Sequence, residues 1–471
     1  MTRAIVVGSG PNGLVAAVVL ARAGIAVHVL EAAATIGGGA RSDEIFRSGI
    51  VHDHCSAFHP LGAVSPAFAE LGLADYGLRW RHAPYDLGHA LDDGPAVLLS
   101  TSVAETAGRL GRDGPVWQDV FGDLADGFGE LAADALGPML ARPENPLRLL
   151  DFGRRALFPA TGLSRMFRTE PARALFGGAA AHAFTALDGP GSSAAGLMLL
   201  AAGHRGGWPA AEGGSSSIIA ALATALIDAG GRISTGTPVT ERGRLDEADL
   251  VLLDLMPGAA ARLLGSAMPA RIARAYRRYR HGPAAFKVDY LIDGEVGWRD
   301  PELARAGTVH LGGTVEQLAA AEAQALAGRL PERPFVLVGQ QWVADPSRAP
   351  GPLKPLWAYA HVPHGYSGDA SEAVTAQIER WAPGFRERIV EQTSRGPAAF
   401  EAGNANYVGG DIGGGRNDLR GLIARPRLTP RPYFTGVDGV YLCSSATPPG
   451  GGVHGMCGYH AARAALADLA R

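Results

Sequence analysis

The chain has few cysteines. Cys55, Cys443 and Cys457 stand far apart among 471 residues, a spacing that makes neither a disulfide framework nor a zinc-ligand pattern. Free thiols of this kind suit a reducing, cytoplasmic compartment. Lysine is scarcer still, with Lys287 and Lys354 as the whole complement. Net charge is small, formally −3, which argues against the strongly basic face of a nucleic-acid binder. Long apolar runs are missing except from Ala4 to Leu30. Gly8, Gly10, Pro11, Asn12 and Gly13 interrupt that run and only Arg3 precedes it as a charge. A strand, turn, helix and second strand account for it better than a membrane span or signal.

What is abundant is glycine, 65 residues, within a composition that is 47% hydrophobic and 19% charged. Such a chain is globular and long enough for about three domain cores. Genome-wide bias explains much of the glycine, but not its clustering at Gly37-Gly38-Gly39, Gly413-Gly414-Gly415 and Gly450-Gly451-Gly452. Backbone without a Cβ lets a ligand approach closely.

The first cluster of motifs is compact. Ala4-Ile5-Val6-Val7 reads as a buried parallel strand. Gly8-Ser9-Gly10-Pro11-Asn12-Gly13 follows as G-x-G-x-x-G, then a small-residue helix from Leu14 to Ala23, a strand from Ile25 to Leu30, and Glu31 at its end. In such a unit Gly8 permits the turn, Gly10 admits a pyrophosphate and Gly13 allows the helix to pack on the strand. The helix N-terminus, including Pro11 and Asn12, presents a positive dipole end to phosphate. Glu31 is placed to accept ribose hydroxyls and to disfavour a 2′-phosphate. A glycine triplet alone would also suit any tight βαβ turn; the full register within about 30 residues makes a nucleotide site the stronger reading.

Ile36-Gly37-Gly38-Gly39-Ala40-Arg41 then resembles the second part of the dinucleotide motif in the flavin monooxygenase, amine oxidase and carotenoid desaturase superfamily. That resemblance implies that Gly38, Gly39 and Arg41 lie along the phosphates of FAD. Near the other end, Gly439 to Cys443 reads as a strand, followed by Ser444 to Pro449, Gly450-Gly451-Gly452-Val453-His454-Gly455-Met456 and an alanine-rich helix. This segment resembles the closing FAD motif of phytoene desaturase-like proteins. It resembles still more closely the group called pyridine nucleotide-disulfide oxidoreductase domain-containing protein 2. The resemblance implies that Gly451, Gly452, Val453 and His454 also meet the FAD, and that the Val239 backbone contacts its adenine. It extends through Phe286-Lys287-Val288-Asp289-Tyr290, His361 to Gly365, and Asn404 to Ile412.

The expected architecture is α/β: a Rossmann-type FAD-binding domain of the glutathione reductase-like, amine oxidase and phytoene desaturase kind, with an interleaved α+β substrate domain. Residues 1–65, 208–260 and 425–471 would form the former, residues 66–207 and 261–424 the latter. Segment 66–207 reads as mainly helical. Strands are expected near Phe286–Ile292, Val309–Gly312 and Phe335–Val338, and a helix near Ser371–Trp381. Relatives carry a β-hairpin before the Leu250 strand; with about ten residues from Glu241 to Leu250, it would be shortened here.

Lys287 and His454 are the candidate catalytic residues. Lys287 lies in an apolar strand and resembles the amine oxidase lysine that holds a water against flavin N5, although strand alternation also allows it a wet face. His454 sits in the turn expected to meet the flavin ring, as an acid or base or as a space-filling side chain. A cysteinyl–flavin link through Cys457 is a further option. His52, His54 and His59 could line the active site or simply build their loop, and no metal is expected. The arginine-rich stretch Arg142–Arg173 suits a solvated amphipathic helix, with contact to a membrane surface as its alternative. The partners expected are a small, apolar substrate and a second copy in a homodimer, with no nucleic acid.

The leading reading is therefore an oxidoreductase that removes hydride from a C–H or C–N centre, with reoxidation by dioxygen or a quinone. The alternatives are a flavin-dependent double-bond isomerase and a non-catalytic FAD-binding interaction protein.

Overall fold

A computed structural model describes residues 2–471. Its first sheet has five parallel strands in the order Val440–Leu442, Leu250–Leu253, Arg3–Val7, Ala26–Leu30, Arg232–Ser234. All but the edge strand Arg232–Ser234 are largely apolar, because helices cover both faces of a parallel sheet. The first helix, Pro11–Arg22, shows no polar face: Asn12 through Ala21 are all buried. It lies between the Ser216–Asp228 helix and the last helix, Met456–Leu469. The approach to the last helix is so close that a Cβ on Gly458 would stand 1.8 Å from the Asn12 carbonyl oxygen. Both ends of the chain therefore pack at one place.

The second sheet has seven strands, in the order Ile389–Arg395, Ala284–Asp293, Leu353–Val362, Val336–Gly339, Ala306–Leu311, Tyr85–Ala90, Val97–Leu99. Its pairs are antiparallel except that of Ala306–Leu311 with Tyr85–Ala90. The strands near residues 286, 309 and 335 and the helix Ser371–Trp381 stand where the sequence suggested. Segment 66–207 is mostly helical but also supplies Tyr85–Ala90 and Val97–Leu99. Period-2 patterning could not reveal Tyr85–Ala90, since all six residues are buried, Asp86 and His89 included. Between Ser234 and Leu250 the described residues form a short 3₁₀ turn, Arg242–Leu245, and no strand. The hairpin is reduced to that turn.

The arginine-rich stretch contains the helix Pro146–Ala156, with Leu147 82% and Leu150 68% exposed. Its charges are mostly paired: Arg148 with Glu130, Arg154 and Arg155 with Asp151. No helix among the described residues is long and apolar enough to cross a membrane.

Candidate dinucleotide and catalytic site

The G-x-G-x-x-G loop leaves the middle strand of the parallel sheet with Gly8 at φ +102°, a conformation that favours glycine. Gly10 is the N-cap of the first helix and Pro11 its first residue, and no side chain caps it. Gly13 is obligatory for packing, since a Cβ there would lie 2.2 Å from the Gly8 carbonyl oxygen. The second glycine turn comes up against the first: a Cβ on Gly38 would be 3.1 Å from Gly10 Cα. Glu31 ties the two turns together. Its Oε2 accepts from Ser9 N–H at 2.9 Å and from the Ser9 hydroxyl, and its Oε1 accepts from Ala33 N–H at 2.8 Å. Ionised carboxylate oxygens hold more than one acceptor site each, so a ribose remains within its capacity. Arg41 lies 3.8 Å from Glu31 and donates to the Thr35, Ile36 and Gly403 carbonyls. Val239 is half-buried in the loop that follows Thr237, whose N–H donates to the Glu31 carbonyl.

The C-terminal turn reaches the same neighbourhood. Val453 O stands 2.8 Å from where a Gly62 Cβ would be, and the Ser65 hydroxyl donates to His454 O at 2.6 Å. Gly451 is half-buried against Gly413, and Gly452 is exposed. His454 is buried, its Nδ1 accepting from Met456 N–H at 3.1 Å. Burial holds its imidazole down to about 4. It is neutral at ordinary pH and braces the turn. Cys457 donates to the Thr447 and Gly450 carbonyls, at 3.4 and 3.3 Å, and burial pushes the thiol up to about 11. A thiol so held is a poor nucleophile.

Lys287 faces the interior, 1% exposed, and not solvent. Both Asp289 carboxylate oxygens accept from its Nζ. Burial pulls the ammonium below its usual pKa while Asp289 opposes that shift. Tyr359 and Arg395 are its register partners on the two adjacent strands. Trp357, Tyr359 and Phe184 form an aromatic wall on this side of the sheet, with Trp357 and Tyr359 edge-on at 4.9 Å and Phe184 stacked on Tyr359 at 6.1 Å. Cys55 lies within the field of Lys287 and beside Tyr407, and a Cβ on Gly39 would nearly coincide with the Tyr407 hydroxyl at 1.8 Å. From the glycine rim, Gly39 thus meets Tyr407, Tyr407 stands beside Cys55, and Cys55 feels the Lys287 charge.

The three loop histidines have separate partners. His52 is buried against Tyr290 O, His54 lies 3.9 Å from Asp43, and His59 sits between Ser56 and Ser215. The loop is fixed by Asp53, which is fully buried with Arg348 and also accepts from Ser42 and Ser215.

Residues 6–71 match the family model described as an NAD(P)-binding Rossmann-like domain. An uncharacterized protein of Mycobacterium tuberculosis is 27% identical across 99% of this chain and 97% of its own. A protein of Rattus norvegicus named pyridine nucleotide-disulfide oxidoreductase domain-containing protein 2 is 26% identical across 99% of this chain and 93% of its own. The chain is thus similar over nearly its whole length to proteins of that oxidoreductase-domain name, and over residues 6–71 to a dinucleotide-binding Rossmann-like domain. Solved structures agree on the fold. An oxidoreductase from Methanosarcina mazei superposes with a TM-score of 0.62 at 16% identity, covering 100% of both chains. A putrescine oxidase bound to putrescine gives 0.62 at 19% identity, covering 100% of this chain and 99% of that one.

Three features escaped the sequence reading. Asp254 stands at the end of the Leu250–Leu253 strand with its carboxyl against Gly13 N–H at 3.2 Å. An acid closing a buried strand, as Glu31 does, was the available signal. Asp289 was legible only as sharing a face with Lys287. Arg348 carried no signal at all, because its partner Asp53 is 295 residues away. An open cavity of about 340 Å³, lined by residues such as Thr101, Gln118 and His204, contains none of the candidate residues.

Proposed function

We propose that this oxidoreductase binds FAD in the rim formed by its two glycine turns and its C-terminal turn, and removes hydride from a C–H or C–N centre of an apolar small molecule. The observation that carries the reading is the meeting of three segments at one helix N-terminus: the Gly38 turn against Gly10, and the last helix, into which the 451–454 turn leads, against Asn12. The rim fits such a group on two counts. No side chain fits at Gly10, Gly13 or Gly39, which lie against the Asp254 carboxyl, the Gly8 carbonyl and the Tyr407 hydroxyl, and the Asn12 Oδ1 is buried without a partner. Gly8, Gly10, Pro11, Asn12, Gly13, Gly38, Gly39 and Arg41 would hold the phosphates, Glu31 the ribose, Val239 the adenine, and Gly451 to His454 the ring end. When bound, FAD supplies the two-electron acceptor that no amino acid offers.

The chain's own groups do the rest. Burial around Lys287 excludes water, which strengthens every charge interaction there. Lys287 Nζ shares protons with Asp289 in a site where burial favours the neutral amine, so the pair can take or return one proton near the reacting carbon or nitrogen. The Trp357, Tyr359 and Phe184 wall offers an apolar surface for substrate. His454, held neutral, shapes the turn. In this reading residues 1–65, 208–260 and 425–471 serve the cofactor, and residues 66–207 and 261–424 the substrate. Electrons would leave to dioxygen or a quinone.

The test is the visible spectrum of the purified protein before and after acid precipitation. A flavin band released to the supernatant, identified as FAD by chromatography, is expected. No flavin after reconstitution with FAD sinks the reading, and colour left in the pellet would restore a Cys457 linkage.

A further inference from the structure

Asp254 has a fixed place in the rim. Its backbone N–H donates to Val7 O at 2.8 Å and its C=O accepts from Asn406 Nδ2 at 2.7 Å. Its Oδ2 takes the Gly13 N–H at 3.2 Å and lies 2.7 Å from where a Gly10 Cβ would be. The carboxyl therefore sits inside the loop whose free N–H groups and dipole make an anion site. Beside it, the Asn12 Oδ1 is buried and unpartnered. The titratable groups facing Asp254 are Glu31 at the end of the Ala26–Leu30 strand, Cys443 at the end of the Val440–Leu442 strand and Cys457 from the last helix. Among the described residues no Lys, Arg or His pairs with it. Burial, with the Glu31 charge adding to it, pushes Asp254 up to about 7.

A second anion in this rim meets a conflict if Asp254 is ionised. Resting on the FAD reading above, we propose that Asp254 is a cofactor-positioning residue that works as the neutral acid, so that binding the dinucleotide's pyrophosphate takes up one proton from solvent. As the acid it keeps the Gly13 N–H and adds an O–H donor beside the phosphates; as the carboxylate it adds a negative charge that opposes them.

The experiment titrates flavin-free protein with FAD from pH 6 to pH 9, followed by flavin fluorescence. Calorimetry at pH 8 in phosphate and in Tris buffer counts the protons. Wild type should lose affinity by about tenfold per pH unit above neutrality, the slope for one linked proton, and take up close to one proton. Asp254→Asn should bind FAD with little dependence on pH, take up almost none, and bind tighter than wild type at pH 9. Asp254→Ser is a second uncharged variant, and circular dichroism checks both folds. A flat wild-type profile, or variants that bind more weakly than wild type at pH 9, overturns the proposal while leaving the FAD reading standing. No FAD bound by any of the three at any pH overturns both.

Discussion

The two sheets build function from different materials. In the proposed reading the working groups at the parallel sheet are backbone: N–H donors at Gly10, Asn12 and Gly13, glycines without Cβ atoms, and a dipole end. At the mixed sheet they are buried ionisable side chains, Lys287 with Asp289 and, behind them, Arg348 with Asp53 and Asp345. Backbone sites tolerate no added atom but carry no net charge, so they can be marked by glycine alone. Side-chain sites accept changes of shape but not the loss of one partner, because a buried charge left alone lacks both water and its counter-ion.

That contrast can be broken most decisively at the lysine. Asp289→Leu alone should destabilise the protein by about 3–5 kcal/mol, whereas Lys287→Met with Asp289→Leu should recover most of the loss. Denaturant melts measure both. The double variant should still be slower in single-turnover flavin bleaching by roughly 100-fold or more, the usual scale for a lost proton-transfer group. Equal rates for wild type and double variant would make Lys287 structural. At the other sheet, Gly13→Ala should fail to retain FAD and cost about 1–3 kcal/mol through overpacking against the Gly8 carbonyl. Gly24→Ala is the control: nothing lies within 4 Å of its Cβ, and only its φ of +82° opposes the change. If the two glycine variants behave alike, close packing is not what selects Gly13.

Acid lability sharpens the comparison next. His59, His89, His204 and His454 are each held down to about 4 by burial. A folded pKa below the unfolded one means the folded state resists protonation. Their contribution is thus complete above about pH 6.5 and is lost as pH falls toward 4. Melting temperature should drop over that interval, and less steeply in His59→Gln, as scanning calorimetry would show. Asp254 acts in the opposite sense: its raised pKa favours the folded state at low pH, and that advantage fades up to about 7. The smallest effect belongs to the surface. Leu147→Ser, at an 82% exposed position, should change stability by less than about 0.5 kcal/mol.

Much of the nucleotide half was legible because its constraints are local. Gly8 to Gly13, the first helix and Glu31 fall within one short stretch of chain, where each residue type follows from its neighbours' geometry. Lys287 was visible by its rarity and its apolar strand, but not its burial: alternation places Lys287 and Asp289 on one face without saying whether that face is wet. His454 likewise could be located in the turn, while its neutrality depends on what surrounds it.

The sequence by itself determined the backbone cradle and its address at both ends of the chain, because glycine spacing and apolar runs act over a few residues. Only the tertiary structure decided which charges meet. The Arg348–Asp53 pair, the Gly39–Tyr407–Cys55–Lys287 series and the approach of Asp254 to Gly13 join segments from 232 to 368 residues apart. Their energies come from burial and proximity, which exist only once the two sheets have closed on each other.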